Sequence, residues 1–189
     1  MAKRVFLIHG WDGHPEKGWI PYLKQELEKK DFTVIALKMP DANRPTLKGW
    51  IPYLALITRF PTKNDYFVGH SLGCIAILRY LETLRENEEI GGAVLVAGFS
   101  HDLNYPGYYN ELASFFKRPI KWDKIRSHCK KFIAIHSDND PYVPLEHGRI
   151  FKENLDAELI IERDMKHFSG DDGITELPIA LESLLKILQ

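Results

Sequence analysis

Residues 66–73 read Tyr-Phe-Val-Gly-His-Ser-Leu-Gly, and 74–84 continue as Cys-Ile-Ala-Ile-Leu-Arg-Tyr-Leu-Glu-Thr-Leu. An apolar run, a glycine-flanked serine and a helical pattern follow one another without a break. This is the G-x-S-x-G arrangement, in which a serine occupies a sharp turn between a strand and a helix. The turn holds the serine backbone in a strained conformation, and side chains at the flanking positions would collide with the adjoining strand and helix. It also carries the hydroxyl into the open and sets the next N–H, that of Leu72, at a helix N-terminus where developing negative charge is favoured. A strand leading into such a helix is one unit of an α/β sheet.

The same rhythm runs along the chain. Apolar runs at 5–8, 32–37, 66–68, 93–99, 132–135 and 158–162 are short, and Gly, Asp, Asn, Lys or His bound them. Continuous apolar runs of this length predict strands buried on both faces of a parallel sheet. Helical spacing lies between them, at Leu23 and Leu27, at Trp50, Leu54 and Ile57, and at Ile77, Leu81 and Leu84. A closing amphipathic helix is predicted from Leu177, Leu181, Leu184 and Leu188. Strands alternating with helices imply right-handed crossovers and a three-layer α/β/α fold on a six-stranded parallel sheet. At 189 residues the chain is expected to form a single domain spanning 1–189.

Composition narrows the partners. With 25 Lys+Arg against 26 Asp+Glu the net charge is −1, which lacks the basic surplus that neutralising phosphates requires, so no nucleic-acid partner is expected. Hydrophobic residues make up 44% of the chain, enough for a core. No apolar stretch approaches a membrane span, and the run before His9 is too short for a signal-peptide core. The two cysteines, Cys74 and Cys129, show no disulfide framework, so the cytoplasm is the expected compartment. Cys74 reads as a small buried hydrophobe, whereas Cys129, beside Lys130 and Lys131, is a candidate for some thiolate character. Without a metal-binding or phosphate-loop motif, no cofactor and no metal are expected.

A serine is a poor nucleophile alone; it needs a histidine base and an acid to orient that base, in the chain order Ser, acid, His for this kind of sheet. After the fifth apolar run comes Ser137-Asp138-Asn139-Asp140-Pro141-Tyr142-Val143-Pro144, which offers two carboxylates. After the sixth comes Met165-Lys166-His167-Phe168. Carboxyl ends of strands are where α/β sheets assemble their sites. His9, His70 and His136 also sit at strand ends, but His167 follows the last strand, where the base belongs. His14, His101, His128 and His147 read as solvated.

Two further features stand out. The heptapeptide Lys-Gly-Trp-Ile-Pro-Tyr-Leu occurs at 17–23 and again at 48–54, each time before or at a helix start, where proline is tolerated. Its Trp19 and Trp50 either pack on the sheet or line a ligand face. The aromatic-rich segment from Ser100 to Lys131 either packs on the sheet or lies partly over the site, with Tyr108, Phe115 and Trp122 as its expected apolar wall.

The Gly-His-Ser-Leu-Gly turn, the Asp-Pro-Tyr-Val-Pro segment, the Lys-His-Phe loop and the opening Val-Phe-Leu-Ile-His-Gly-Trp resemble the small α/β-hydrolases of the retinoblastoma-binding-protein-nine and YdeN type. The resemblance spans essentially the whole chain. It implies a minimal α/β-hydrolase fold without a separate cap domain, Ser71 as nucleophile, Asp140 as acid and His167 as base. It also implies that the N–H of Trp11 joins that of Leu72 in an oxyanion hole. The expected activity is hydrolysis of a small acyl compound, most simply a carboxylic ester with a short acyl chain. The alternative from another class is a protein-binding module in which that site is vestigial.

Overall fold

In the computed structural model, residues 3–103 and 109–188 are described. Six parallel strands form one sheet: β1 (Arg4–Ile8), β2 (Thr33–Leu37), β3 (Asp65–His70), β4 (Gly92–Val96), β5 (Phe132–Ser137) and β6 (Glu158–Glu162). Their order across the sheet is β2-β1-β3-β4-β5-β6. The chain steps outward from β1 to β2, then returns to the other side of β1 with β3. The boundary between β1 and β3 is therefore the switch point at whose carboxyl ends a crevice opens.

Side chains along the strands alternate between two cores. Val5, Leu7, Val68, Val94 and Ile133 face α1 (Ile20–Glu28) and α7 (Pro178–Ile187). Phe6, Ile8, Phe67, Leu95 and Ala134 face the opposite layer. That layer contains α2 (Leu47–Thr58), α3 (Leu72–Leu81), α5 (Trp122–His128) and α6 (Glu146–Leu155), with α4 (Tyr109–Phe116) packed on α3. Central strands have covered neighbours on both sides, which explains their unbroken apolar runs. The edge strands β2 and β6 depart from the expectation of full burial. Ile161 is 47% exposed, because an edge strand has a neighbour on one side only and the helices do not reach over it.

The repeated heptapeptide folds in two ways. In the first copy the helix begins at Ile20, so Pro21 stands in its first turn; Gly18 precedes it in a left-handed conformation (φ 59°). In the second copy α2 has already begun at Leu47, behind the side-chain cap of Thr46, and Pro52 lies inside the helix, contrary to the expectation of a helix start. Context upstream of the repeat decides, since Thr46 supplies an N-cap that the first copy lacks. Both tryptophans are buried, one on each side of the sheet. Trp50 Nε1 donates to the Pro40 carbonyl and Trp19 Nε1 to the Phe168 carbonyl, so each ties down a loop at the carboxyl end of the sheet.

Among its described residues, the Ser100–Lys131 excursion is mainly packing: Phe115 is in the core against Trp50, and Ile125 is fully buried. Two of the residues expected to be solvated are not. His128 donates from Nδ1 to the Glu88 carbonyl, and His147 accepts from the Ser100 N–H, so both rings are spent inside, satisfying loop backbone. Cys129 is buried as well, and burial pushes its thiol up to about 12, which removes the expected thiolate character.

At the amino ends of the strands, Arg4 and Asp65 face each other in the β1–β3 register. Arg4 Nε and Nη2 donate to the two carboxylate oxygens at 2.6 and 2.8 Å, and Thr62 N–H adds a third bond at 2.7 Å. Asp65 is buried while Arg4 is partly exposed, so removing Arg4 would leave a buried carboxylate unpaired, and removing Asp65 takes the acceptor from Arg4 and from the Thr62 N–H. Asp65→Ala is expected to cost about 2 kcal/mol in a urea unfolding curve, the scale of lost charge-assisted hydrogen bonds. A midpoint equal to that of the wild type would mean that the pair adds nothing net.

Candidate active site

Ser71 lies between the end of β3 and the start of α3 with φ 53° and ψ −117°, a conformation that costs a non-glycine residue of order 1–3 kcal/mol. The surroundings hold it there. Ser71 N–H donates to the Val96 carbonyl at 2.8 Å, and Cys74 N–H donates to the Ser71 carbonyl at 3.0 Å. A Cβ on Gly73 would sit 2.3 Å from the Ile8 carbonyl oxygen, and one on Gly69 would sit 2.8 Å from backbone atoms of Gly73 and Cys74. Both glycines are therefore needed for α3 to approach β1 and β3 as closely as it does. All ten residues of α3 are buried, and Cys74 among them donates to the Gly69 carbonyl as the inert residue expected.

Facing this turn are the loops after β5 and β6. His167 Nε2 lies 2.9 Å from Ser71 Oγ, and its Nδ1 lies 2.8 Å from Asp140 Oδ2. The other oxygen of Asp140 accepts the N–H groups of Tyr142 and Val143 at 2.9 and 3.0 Å. Its side chain is 2% exposed. Asp138, the competing carboxylate, does not face His167; its Oδ1 accepts the Asp164 N–H at 3.0 Å. Four successive N–H groups of the histidine loop are each taken by a side-chain oxygen: Asp164 by Asp138, Met165 by Ser137, Lys166 by Asn139 and His167 by Asp172. The loop needs this hold, since Lys166 and Phe168 have positive φ (47° and 54°).

Asp172 caps the short turn Gly170–Asp172 in a reciprocal box with Ser169. Burial raises its pKa, but hydrogen bonds from the Ser169 hydroxyl and N–H and from the His167 N–H outweigh this and hold it below the usual carboxylate range. His9 fixes the loop after β1. Met39 N–H donates to its Nε2, so Nδ1 carries the proton and donates to the Gly10 carbonyl; burial keeps the ring's pKa lowered. Gly10 in turn touches the serine, a Cβ there lying 3.0 Å from Ser71 Cβ.

A cavity of about 420 Å³ opens over Ser71, lined from five of the six strand ends. Trp11 and Leu72, the expected oxyanion residues, both border it. Leu72 is the first residue of α3, where an N–H has no partner inside the helix. The apolar wall differs from the expected one. Phe115 is buried in the core against Trp50, and Trp122 borders a separate surface depression beside Lys121 and Arg126, because α5 packs on α3 and α6 and α4 turns Leu112, not Phe115, toward the cavity. Tyr108 lies outside the described residues. Phe99, Leu103, Leu112 and Val143 form the wall in their place. Phe99 reads in the sequence as the end of a strand, and Val143 as part of the acid motif, so their second use gave no separate signal. Asp172 did leave one, the Ser-x-x-Asp spacing of a capping box. Trp19, but not Trp50, borders the cavity.

Residues 5–186 match the serine hydrolase family model. The YdeN protein of Bacillus subtilis (strain 168) is 34% identical over 184 residues, covering 97% of this chain and 95% of that protein. The serine hydrolase RBBP9 of Rattus norvegicus is 32% identical over 170 residues, covering 89% of this chain and 87% of its own. The crystal structure of the ydeN gene product superposes with a TM-score of 0.92 at 33% identity, covering 99% of both chains.

Around the site, three histidines are held neutral, His136 and His147 buried and His70 partly buried at the cavity edge. Burial, with the neighbouring rings adding to it, lowers His70 to about 3; burial lowers His136 and His147 to about 4. In the unfolded chain each would take a proton near pH 6.5. Below that pH the unfolded state binds more protons than the folded one, so stability falls as pH drops from about 6.5 toward 4 and gains nothing from these groups above 6.5. Urea midpoints measured at pH 7.5, 6 and 5 should decline in that order. A midpoint unchanged at pH 5 would mean that these rings are not shielded from water.

Proposed function

The chain belongs to the serine hydrolase family, and we propose that it cleaves small carboxylic esters through an acyl-enzyme formed on Ser71, with His167 as base and Asp140 as its orienting acid. The observation that carries this reading is the unbroken line from Ser71 Oγ to His167 Nε2 to His167 Nδ1 to Asp140 Oδ2, with steps of 2.9 and 2.8 Å across the ring. It begins at a serine held in a strained strand-to-helix turn, the conformation that presents a nucleophile in a G-x-S-x-G sequence.

The roles follow from the hydrogen bonds. Asp140 accepts from Nδ1–H, which leaves Nε2 with its lone pair toward Ser71 Oγ. As Oγ attacks the carbonyl carbon, its proton passes to Nε2, and Asp140 stabilises the cation that forms. The substrate oxygen, now an anion, lies at the start of α3, where the Leu72 N–H and the helix dipole favour it; the Trp11 N–H is the proposed second donor. Nε2 then gives its proton to the departing alcohol. Water, deprotonated by the same ring, releases the acid and restores the serine.

The acyl group is proposed to lie against Trp11, Phe99, Leu103, Leu112 and Val143. With a cavity of about 420 Å³, short acyl chains fill the apolar wall and longer ones extend into solvent. Each buried methylene contributes about 0.8 kcal/mol, so the gain should stop where the wall stops.

Ser71→Ala should abolish labelling by a fluorophosphonate and lower ester hydrolysis by about 10⁴-fold or more, because nucleophile and base act as a unit. Asp140→Asn should cost on the order of 10³-fold or more through the wrong imidazole tautomer. Asp138→Asn should cost little, since an amide oxygen can still accept the Asp164 N–H. A dead Asp138→Asn beside an active Asp140→Asn would reverse the assignment of the acid. Across p-nitrophenyl esters, kcat/KM should peak at roughly two to six acyl carbons; a steady climb beyond ten would reject the short wall.

A further inference from the structure

We infer that His70 is a positioning residue for the base: by holding the backbone carbonyl of His167 it sets where that ring meets Ser71. The inference rests on the reading of Ser71 and His167 as nucleophile and base. His70 Nε2 lies 2.7 Å from the His167 carbonyl oxygen, and the His167 N–H donates to Asp172 at 3.1 Å. Both polar groups of the base's own backbone are thus held by side chains from elsewhere. The next carbonyl, that of Phe168, accepts from Trp19 Nε1 at 2.9 Å. Trp19 packs edge-on against the His70 ring at 5.8 Å between centroids.

The position of His70 in the chain matters. It is the last residue of β3 and immediately precedes Ser71, so one rigid strand end carries both the serine and the group that holds the histidine. Any movement of the elbow moves both together. The His167 backbone has need of such a hold, since positive φ on either side (47° at Lys166, 54° at Phe168) is not a geometry these residues prefer alone. A carbonyl accepts and does not donate, so His70 must carry its proton on Nε2. Though it borders the cavity, its partial desolvation between strand and loop keeps the ring neutral, and the groups that face it are His167, Asp140 and His9. Neutrality has a purpose: the two imidazoles are 5.0 Å apart between centroids, and a permanent cation at residue 70 would oppose the proton that His167 must accept. Histidine offers a donor of the right reach without that charge.

The test compares His70→Leu with His70→Gln in the full chain, using p-nitrophenyl butyrate turnover and the rate of fluorophosphonate labelling. Leucine fills space without donating; glutamine brings an N–H that can reach the same carbonyl. His70→Leu should lower kcat on the order of 10²-fold, the scale of a misplaced catalytic group, with KM within about twofold and labelling slowed in parallel. His70→Gln should recover about 10-fold or more of that loss. Should the leucine variant fail to fold, His70→Asn, too short to reach, replaces it against glutamine. Equal rates for the donating and non-donating variants, a loss confined to KM, or a fully active His70→Leu would each overturn the inference. Activity persisting in Ser71→Ala would instead remove the reading beneath it.

Discussion

The first turn of α3 lies so close to the end of β1 that a Cβ on Gly73 would come within 2.3 Å of the Ile8 carbonyl oxygen. Everything at the site is referenced to that contact. It lets the helix begin one residue after Ser71, which fixes the serine in its positive-φ conformation and aims the N-terminal N–H groups of α3 at the space above it. It also requires the loop after β1 to pass beside the serine, which brings Gly10 against Ser71 and Trp11 to the cavity. A bulkier residue at 73 would push α3 outward, and the serine, the proposed oxyanion donor and the cavity wall would shift together.

Around this fixed point the structure divides the labour between backbone and side chains. The serine is held by main-chain bonds to β4 and α3. The loops bearing Asp140 and His167 are held chiefly by side chains, because loops offer few main-chain partners. Ser137, Asp138, Asn139 and Asp172 take four successive N–H groups, and His70 and Trp19 take the two carbonyls that follow. This accounts for the polar density of the 137–140 segment, of which a single member faces the histidine. It also assigns work to histidines that carry no proposed chemistry: His9, His128 and His147 each satisfy a loop backbone group from within the core.

The two faces of the sheet differ in what they give the cavity. The α1–α7 face supplies Trp19 and Phe168 beneath the histidine loop. The opposite face supplies Phe99, Leu112 and Val143, which form the apolar wall. The aromatics of α4 and α5 that the sequence offered as a wall are consumed instead in covering α3 and α6, since a helix buried on all sides needs cover from every direction. Among the described residues, no helix is long and apolar enough to cross a membrane.

Alone, the sequence determined the strand and helix order, the parallel sheet, the serine turn and the loops that would face it. These are legible because they rest on local signals: apolar runs of strand length, helical spacing, and glycines at positions where no side chain fits. It also limited the acid to two carboxylates four and two residues before Tyr142, with the family resemblance favouring the second. Only the tertiary structure decided which of them meets His167, because both Asp138 and Asp140 lie on one loop and the outcome depends on where the β6 loop docks. The same holds for the cavity wall and for the repeated heptapeptide, whose identical residues start one helix and continue another. Such features depend on contacts between segments distant in the chain, and composition and spacing carry no record of which side chain reaches which partner first.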